Sequence, residues 1–161
     1  MVLVLTQILN MFIKKLTFCF LFISILCTPF SIAEEKFLSL KKNKVNVRYG
    51  PSFDFEIKYI YKKINLPLKQ IDKKENWRRI IDLKNNSGWI HSSQLNERSN
   101  SIIILKDKIL FKNASNFSKP LLRLQSGRLL ILKKCKKDWC NVITDNYSGW
   151  IKTENVWGYI R

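Results

Sequence analysis

Two stretches of this chain read alike, and that repeat limits the fold more than any other feature. One runs NVRYGPSFDFEIKYIYKKINLPLKQIDKKENWRRIIDLKNNSGWIHSSQL, and the other ILFKNASNFSKPLLRLQSGRLLILKKCKKDWCNVITDNYSGWIKTENV. Trp77 aligns with Trp139, and Gly88-Trp89-Ile90 with Gly149-Trp150-Ile151. Pro67 falls opposite Leu129. Asn65 falls opposite Gly127, and both of these residue types tolerate positive φ in a turn. A chain of 161 residues that repeats itself has to close two small cores, one per copy. The junction, Asn96-Glu97-Arg98-Ser99-Asn100, is polar and rich in breakers.

Each copy reads as a series of short strands. In the first they are expected over Phe37–Leu40, Val45–Arg48, Ile57–Tyr61, Leu66–Ile71, Trp77–Ile81 and Gly88–His91, with a turn at Lys84–Ser87. Turn signals recur at the spacing of a small all-β barrel or sandwich, and no stretch carries a helical period. Ser92–Leu95 and Thr153–Val156 are each long enough for one 3₁₀ turn. Trp77, Trp89, Trp139 and Trp150 are expected to supply much of the two cores, because each ring buries a large apolar area.

Composition narrows the function. The formal charge is +17, but 22 of the 29 cations are lysine and only 7 arginine, the better bidentate phosphate ligand. Isoleucine and asparagine are abundant while alanine, glycine and proline are scarce. That is the pattern of lysine filling solvated positions under codon bias, not of a nucleic-acid footprint, and no nucleic-acid partner is expected. A hydrophobic fraction of 46% excludes a disordered polyelectrolyte. The single histidine, His91, excludes metal sites that need two imidazoles and leaves little for acid–base chemistry. The carboxylates form no close pair and no glycine-rich phosphate loop is present, so neither metal, cofactor nor catalysis is expected.

The N-terminus reads as a removable export signal over residues 1–33. Lys14 and Lys15 precede the apolar run LTFCFLFISILC, Pro29 breaks it, and Ser31-Ile32-Ala33 fits a small-x-small cleavage pattern, with the cut between Ala33 and Glu34. The rival is an uncleaved anchor, although the two lysines interrupt any single span. Met11 offers a tidier start. Processing would leave a strongly basic chain outside the cytoplasm, periplasmic or extracellular, with no stable membrane span.

Cys135 and Cys140, in C-K-K-D-W-C, remain after processing. An even pair in an exported chain reads as a disulfide, here across the tip of a hairpin. A redox dithiol is the alternative, but the motif is not C-x-x-C and no βαβ pattern surrounds it.

The stretch Asn46-Val47-Arg48-Tyr49-Gly50-Pro51-Ser52, followed by Pro67, by Glu75-Asn76-Trp77-Arg78 and by Gly88-Trp89-Ile90, resembles bacterial SH3-like (SH3b) domains. The second copy keeps Asp138-Trp139-Cys140 and Gly149-Trp150-Ile151 but replaces the first element with Leu110-Phe111-Lys112-Asn113-Ala114-Ser115. The ending Val156-Trp157-Gly158-Tyr159 resembles the tail of exported tandem SH3-like proteins. The resemblance implies two tandem SH3-like β-barrels of five to six strands, over 34–97 and 98–161, and a binding role. Such domains often target hydrolases to peptidoglycan, which makes a peptidoglycan peptide or an envelope protein the expected partner.

Barrels of this type hold extended peptides in aromatic-lined grooves between loops. In the first copy Arg48, Tyr49, Phe53, Asp54 and Phe55 lie on the loop that would flank a groove, and Tyr59, Tyr61 and Trp77 would continue it. The alternative is that Phe53 and Phe55 fold back as plugs and Trp77 belongs to the core. Only Phe117 marks the same loop in the second copy, so the first copy is expected to be the more ligand-competent. Two further roles stay open. One is an assembly protein whose barrels pack into one unit, with Trp157 and Tyr159 wedged between them. The other is a lysine-driven adaptor to anionic surfaces.

Overall fold

Short apolar runs separated by tight turns favour strands, and strands are what forms. The computed structural model describes residues 35–158. The export signal expected over residues 1–33, the cut expected between Ala33 and Glu34, and Tyr159 lie outside them. The first sheet contains β1 (Phe37–Leu40), β2 (Val45–Arg48), β3 (Ile57–Tyr61), β4 (Pro67–Lys74), β5 (Trp77–Ile81), β6 (Ser87–His91) and β7 (Leu95–Asn96). The second contains β8 (Ser101–Ile104), β9 (Lys108–Phe111), β10 (Pro120–Leu124), β11 (Leu129–Lys136), β12 (Trp139–Thr144), β13 (Tyr147–Lys152) and β14 (Val156–Trp157). Their orders are β3-β2-β6-β5-β4-β1-β7 and β10-β9-β13-β12-β11-β8-β14, the same topology strand for strand.

The repeat extends to single backbone torsions. Asn65 (φ 60°) and Gly127 (φ 83°) occupy the same turn. The Asn65 N–H donates to the Leu40 carbonyl at 2.9 Å, and the Gly127 N–H to the Ile104 carbonyl at 2.8 Å. The β4–β5 and β11–β12 turns match through Glu75 and Lys137, and the next turns through Asn85 and Asp145, all at positive φ.

Both cores are aliphatic. Leu38, Leu40, Val45, Val47, Leu68, Ile80, Ile90 and Leu95 form one cluster, with Tyr59, Tyr61 and Leu66 packed against it. Ile102, Ile104, Leu110, Leu124, Leu130, Cys140, Val142 and Ile151 form the other. Each cluster draws on all seven strands of its sheet, counting the partly buried residues packed against it. A flat sheet with strands about 4.8 Å apart would hold its edges far from each other, so the sheets coil tightly around their cores. This is the all-β, tandem SH3-like architecture. Each sheet has seven strands where the resemblance implied five or six, the extra pairing coming from the two-residue strands β7 and β14. Among the described residues no ladder joins β3 to β7 or β10 to β14, so neither barrel closes by hydrogen bonds.

The tryptophans do not build the cores. Along β6, Gly88 and Ile90 are buried and Trp89 between them is on the opposite face; along β13, Gly149 and Ile151 flank Trp150 in the same way. Glycine takes the inward position because the next strand comes too close. A Cβ on Gly88 would stand 2.4 Å from Val47 Cγ1, and one on Gly149 2.6 Å from the Phe111 carbonyl oxygen. Ser92–Gln94 is a 3₁₀ turn, but residues 153–155 form a bend with Asn155 at φ 51°.

Strands β1 and β8 are buried on both faces. Their alternate residues Leu38, Leu40, Ile102 and Ile104 enter the cores. Phe37, Ser39, Ser101 and Ile103 are turned the other way yet are still buried, because the two sheets cover each other there. The Trp157 indole N–H donates to the Pro67 carbonyl at 3.3 Å, and the ring meets Phe37 edge-on at 5.3 Å between centroids. Ser101 Oγ–H donates to the Asn65 carbonyl at 2.6 Å. Among the described residues no helix is long and apolar enough to cross a membrane.

Candidate functional site

Period-2 alternation decides which aromatic residues reach the surface. Arg48, Trp89, Arg79 and Asp72 stand in one cross-strand row, and His91, Trp77 and Lys74 in the next. This grid is the outer face of the first sheet. Phe53, from the loop between β2 and β3, folds down on it. Its ring lies 5.0 Å from Trp77 and 5.4 Å from His91, while Trp77 and His91 meet edge-on at 5.3 Å. The Arg48 guanidinium carbon is 5.6 Å from the Phe53 ring centre. Trp77 is therefore 7% exposed without being a core residue: it is buried under the loop.

The loop is tied at several points. Arg48 Nη1 donates to the Phe55 carbonyl at 2.5 Å, and Ser52 Oγ–H to Asp54 at 2.6 Å. The Phe55 ring lies directly on Gly50, whose missing Cβ would fall 2.5 Å from it. Tyr49 stays exposed, with the Lys58 ammonium 5.5 Å from its ring centre.

Tyr59 and Tyr61 stand elsewhere. They pair with Val47 and Val45 and share the core face of the sheet. Their rings meet edge-on at 5.2 Å, and the Tyr61 hydroxyl donates to Asp82 at 3.1 Å. Asp82 also accepts from the Lys84 and Asn86 N–H groups and so shapes the turn before β6. Burial, reinforced by these neighbours, pushes the Tyr61 phenol well above its ordinary range, and burial raises Tyr59 in the same direction. Of the seven predicted residues, Arg48, Phe53, Asp54 and Phe55 come together, Tyr49 flanks them, and the two tyrosines belong to a different face.

Sequence reasoning missed a polar cleft of about 880 Å³ that borders the aromatic cluster through His91. Its wall includes Lys41 after β1, Asn76 in the turn before β5, Arg78 of β5, Ser93 of the 3₁₀ turn and Arg98 of the junction between the copies. His91 Nδ1 is 2.8 Å from Ser93 Oγ and caps the 3₁₀ turn. Arg78 donates to the Glu75 and Trp77 carbonyls and pairs with Glu97 at 3.4 Å, while its buried Nε has no partner among the described residues. Glu97 also binds Lys36, which, with Arg78, holds its carboxyl below the usual range. The available signal was the density of Asn, Ser and Arg around residues 91–100, which reads in sequence as a linker.

In the second copy the outer rows are Lys134, Asn141, Trp150 and Phe111, and then Lys136, Trp139 and Lys152. Cys135 and Cys140 face each other across the same two strands and form a disulfide.

Two coiled all-β sheets of one topology, each with tryptophans on its outer face, define a tandem of small SH3-type modules. The chain belongs to the bacterial SH3 domain family, whose model matches residues 41–97 and 108–158. No curated protein matches the chain significantly. Among solved structures, NlpC2 of Trichomonas vaginalis is similar over 80% of this chain and 50% of its own, with 10% identity and a TM-score of 0.36. NlpC1 of the same organism is similar over 78% and 46%, with 11% identity and a TM-score of 0.35. The chain thus spans about half the length of either protein.

Proposed function

We propose that this chain is an exported, non-catalytic binding module of the cell envelope. In this reading residues 1–33 are removed, and domains over 34–97 and 98–161 act together. The first domain recognises a cell-wall peptide. The observation that carries the reading is the continuity of the Phe53–Trp77–His91 cluster with the polar cleft beside it. An extended peptide needs apolar contact for its side chains and donors for its carbonyls and carboxylates. The aromatic cluster offers the first, and Arg78, Arg98, Lys41 and Asn76 offer the second. Membership of the family supports a binding role.

Retention on purified peptidoglycan at two salt concentrations tests this. Retention should survive moderate salt and fall with Tyr49→Ala and with Arg98→Ala. Arg48→Ala should also weaken it, because the loop loses the Arg48–Phe55 bond and the guanidinium beside Phe53. Salt-sensitive retention indifferent to all three changes would refute a peptide site.

The contacts through Trp157 and Ser101 favour a second reading, a rigid assembly element of the envelope. It predicts no retention on peptidoglycan and one constant protein partner in pulldowns from envelope extract.

A further inference from the structure

The same strand positions are used differently in the two copies. In the first, Phe53 covers Trp77. In the second, the corresponding loop carries Phe117, which is fully exposed, and the one ring recorded against Trp139 among the described residues is Phe111, edge-on at 5.7 Å. Without a phenyl ring from its own loop, Trp139 is partly exposed where Trp77 is buried. The cations are redistributed: Phe111 and Asn141 stand where Arg48 and Arg79 stand, Lys136 keeps the place of Lys74, and two new lysines appear. Lys152 stands where His91 stands, with its ammonium 5.9 Å from the Trp139 ring centre. Lys134 stands where Asp72 stands, 5.8 Å from the ring centre of Trp150. Lys136 completes the row beside Trp139.

We propose that this outer face of the second sheet, Phe111, Trp139 and Trp150 flanked by Lys134, Lys136 and Lys152, docks an anionic glycan. The chemistry of the face selects this occupant. Strands β12 and β13 are interior strands, so their backbone groups are engaged in ladders on both sides. A peptide recognised by strand addition has no free N–H or carbonyl to pair with here. What the face offers is indole surface and mobile ammonium groups. A sugar ring has an apolar C–H face to lay on an indole and, when it carries carboxylates, anions to meet the lysines. A second copy of this +17 chain is opposed by charge. Nucleic acid also stacks and carries charge, but the export proposed above separates it from the protein.

The disulfide fits this use. Cys135 lies between Lys134 and Lys136, and Cys140 between Trp139 and Asn141, so the bridge braces the hairpin that carries half of the face. The corresponding pair in the first copy is Lys73 and Arg78, without a bridge.

The test is a titration of the purified full chain, disulfide intact, with polygalacturonate, neutral dextran, poly-L-glutamate and a single-stranded DNA oligonucleotide. Polygalacturonate should bind most tightly and dextran not at all. Lys134→Glu with Lys152→Glu, both on the surface, should weaken polygalacturonate binding about tenfold or more. Lys42→Glu with Lys44→Glu, exposed on the first copy and outside its cleft, should leave it unchanged. Trp139→Phe should keep most of the binding, and Trp139→Leu, folded by circular dichroism, should lose it. Poly-L-glutamate binding as tightly as polygalacturonate would overturn the proposal in favour of charge alone. Tighter binding of the oligonucleotide, or equal loss from the two charge-reversal pairs, would overturn it as well. Failure of the first-copy variants to affect peptidoglycan retention leaves this result untouched, so the two proposals fail separately.

Discussion

Replacing Trp157 by alanine should uncouple the two sheets. Trp157 ends the last strand, pairs with Ile103 of β8 and reaches across to Pro67 and Phe37 of the other sheet. The edge-on contact with Phe37 contributes about 1 kcal/mol beyond its area, and the indole hydrogen bond contributes about 1 kcal/mol net. The ring is half-buried, so truncation forfeits roughly 100 Å² of apolar burial, or about 2.5 kcal/mol at 25 cal/mol/Å². The whole loss is about 4.5 kcal/mol, and the contacts with Phe37 and Pro67 place much of it between the sheets. Trp157→Phe keeps an aromatic ring but loses the N–H bond and part of the indole area, costing about 2 kcal/mol. Differential scanning calorimetry reads the result. The parent should unfold in one transition, and Trp157→Phe in one transition a few degrees lower. Trp157→Ala should unfold in two, with the disulfide-braced second sheet melting later. A single transition for Trp157→Ala, at the midpoint of the Phe variant, would refute the claim that this residue couples the sheets.

Three other outcomes follow from features described above. Peptide mapping without reduction should recover Cys135 and Cys140 in one cross-linked species, and replacing both by alanine should cost about 2–3 kcal/mol in urea unfolding; alkylation of either thiol in unreduced, denatured protein would contradict the bridge. Gly149→Ala should destabilise by at least about 1–3 kcal/mol, because its Cβ meets the Phe111 carbonyl oxygen and Leu110. Gly127→Asn should change stability by only a few tenths of a kcal/mol, since Asn65 holds the equivalent torsion; thermal melts of the two variants check both statements. Tyr61 gives a pH dependence. Its phenol stays protonated in the folded chain at pH values where the unfolded chain ionises, so the folded state holds more protons and stability falls as pH rises above the ordinary tyrosine value of 10.0. Tyr61→Phe should flatten that alkaline limb, and an unchanged limb would rule out Tyr61 as its source.

Much of the fold was legible because β-sheets repeat locally. Strand limits from Phe37 to His91 follow from alternation and turn residues, and the match of Asn65 with Gly127 anticipated a shared positive φ before any coordinates. The direction in which a strand faces is another matter. Gly-Trp-Ile is apolar throughout, so the pattern is silent about which residue points inward. The answer depends on how closely Val47 and Phe111 approach the glycines, and that is a tertiary fact. The candidate site divided along the same line. Arg48 and Phe53 were found because they share one loop, whereas Tyr59 and Tyr61 were grouped with them by proximity in sequence although they occupy the core face. The cleft escaped notice because polar residues at a junction give no periodic signal, and only the return of the chain beside β5 gives them a common wall.

The contacts that join the two sheets, Trp157 on Phe37 and Pro67 and Ser101 on Asn65, have a consequence for how a ligand would experience this molecule. Linkers usually let two modules search for their targets independently, so that length and stiffness set the effective concentration of the second event. Here Trp157, Phe37 and Ser101 hold the modules to each other. The distance between the two outer faces is therefore a property of the fold. A polymer whose repeating units match that distance gains avidity on both faces at once, and one with a different repeat engages a single face. Under the binding role proposed above, Trp157 and Ser101 would thus act on selectivity from outside both outer faces.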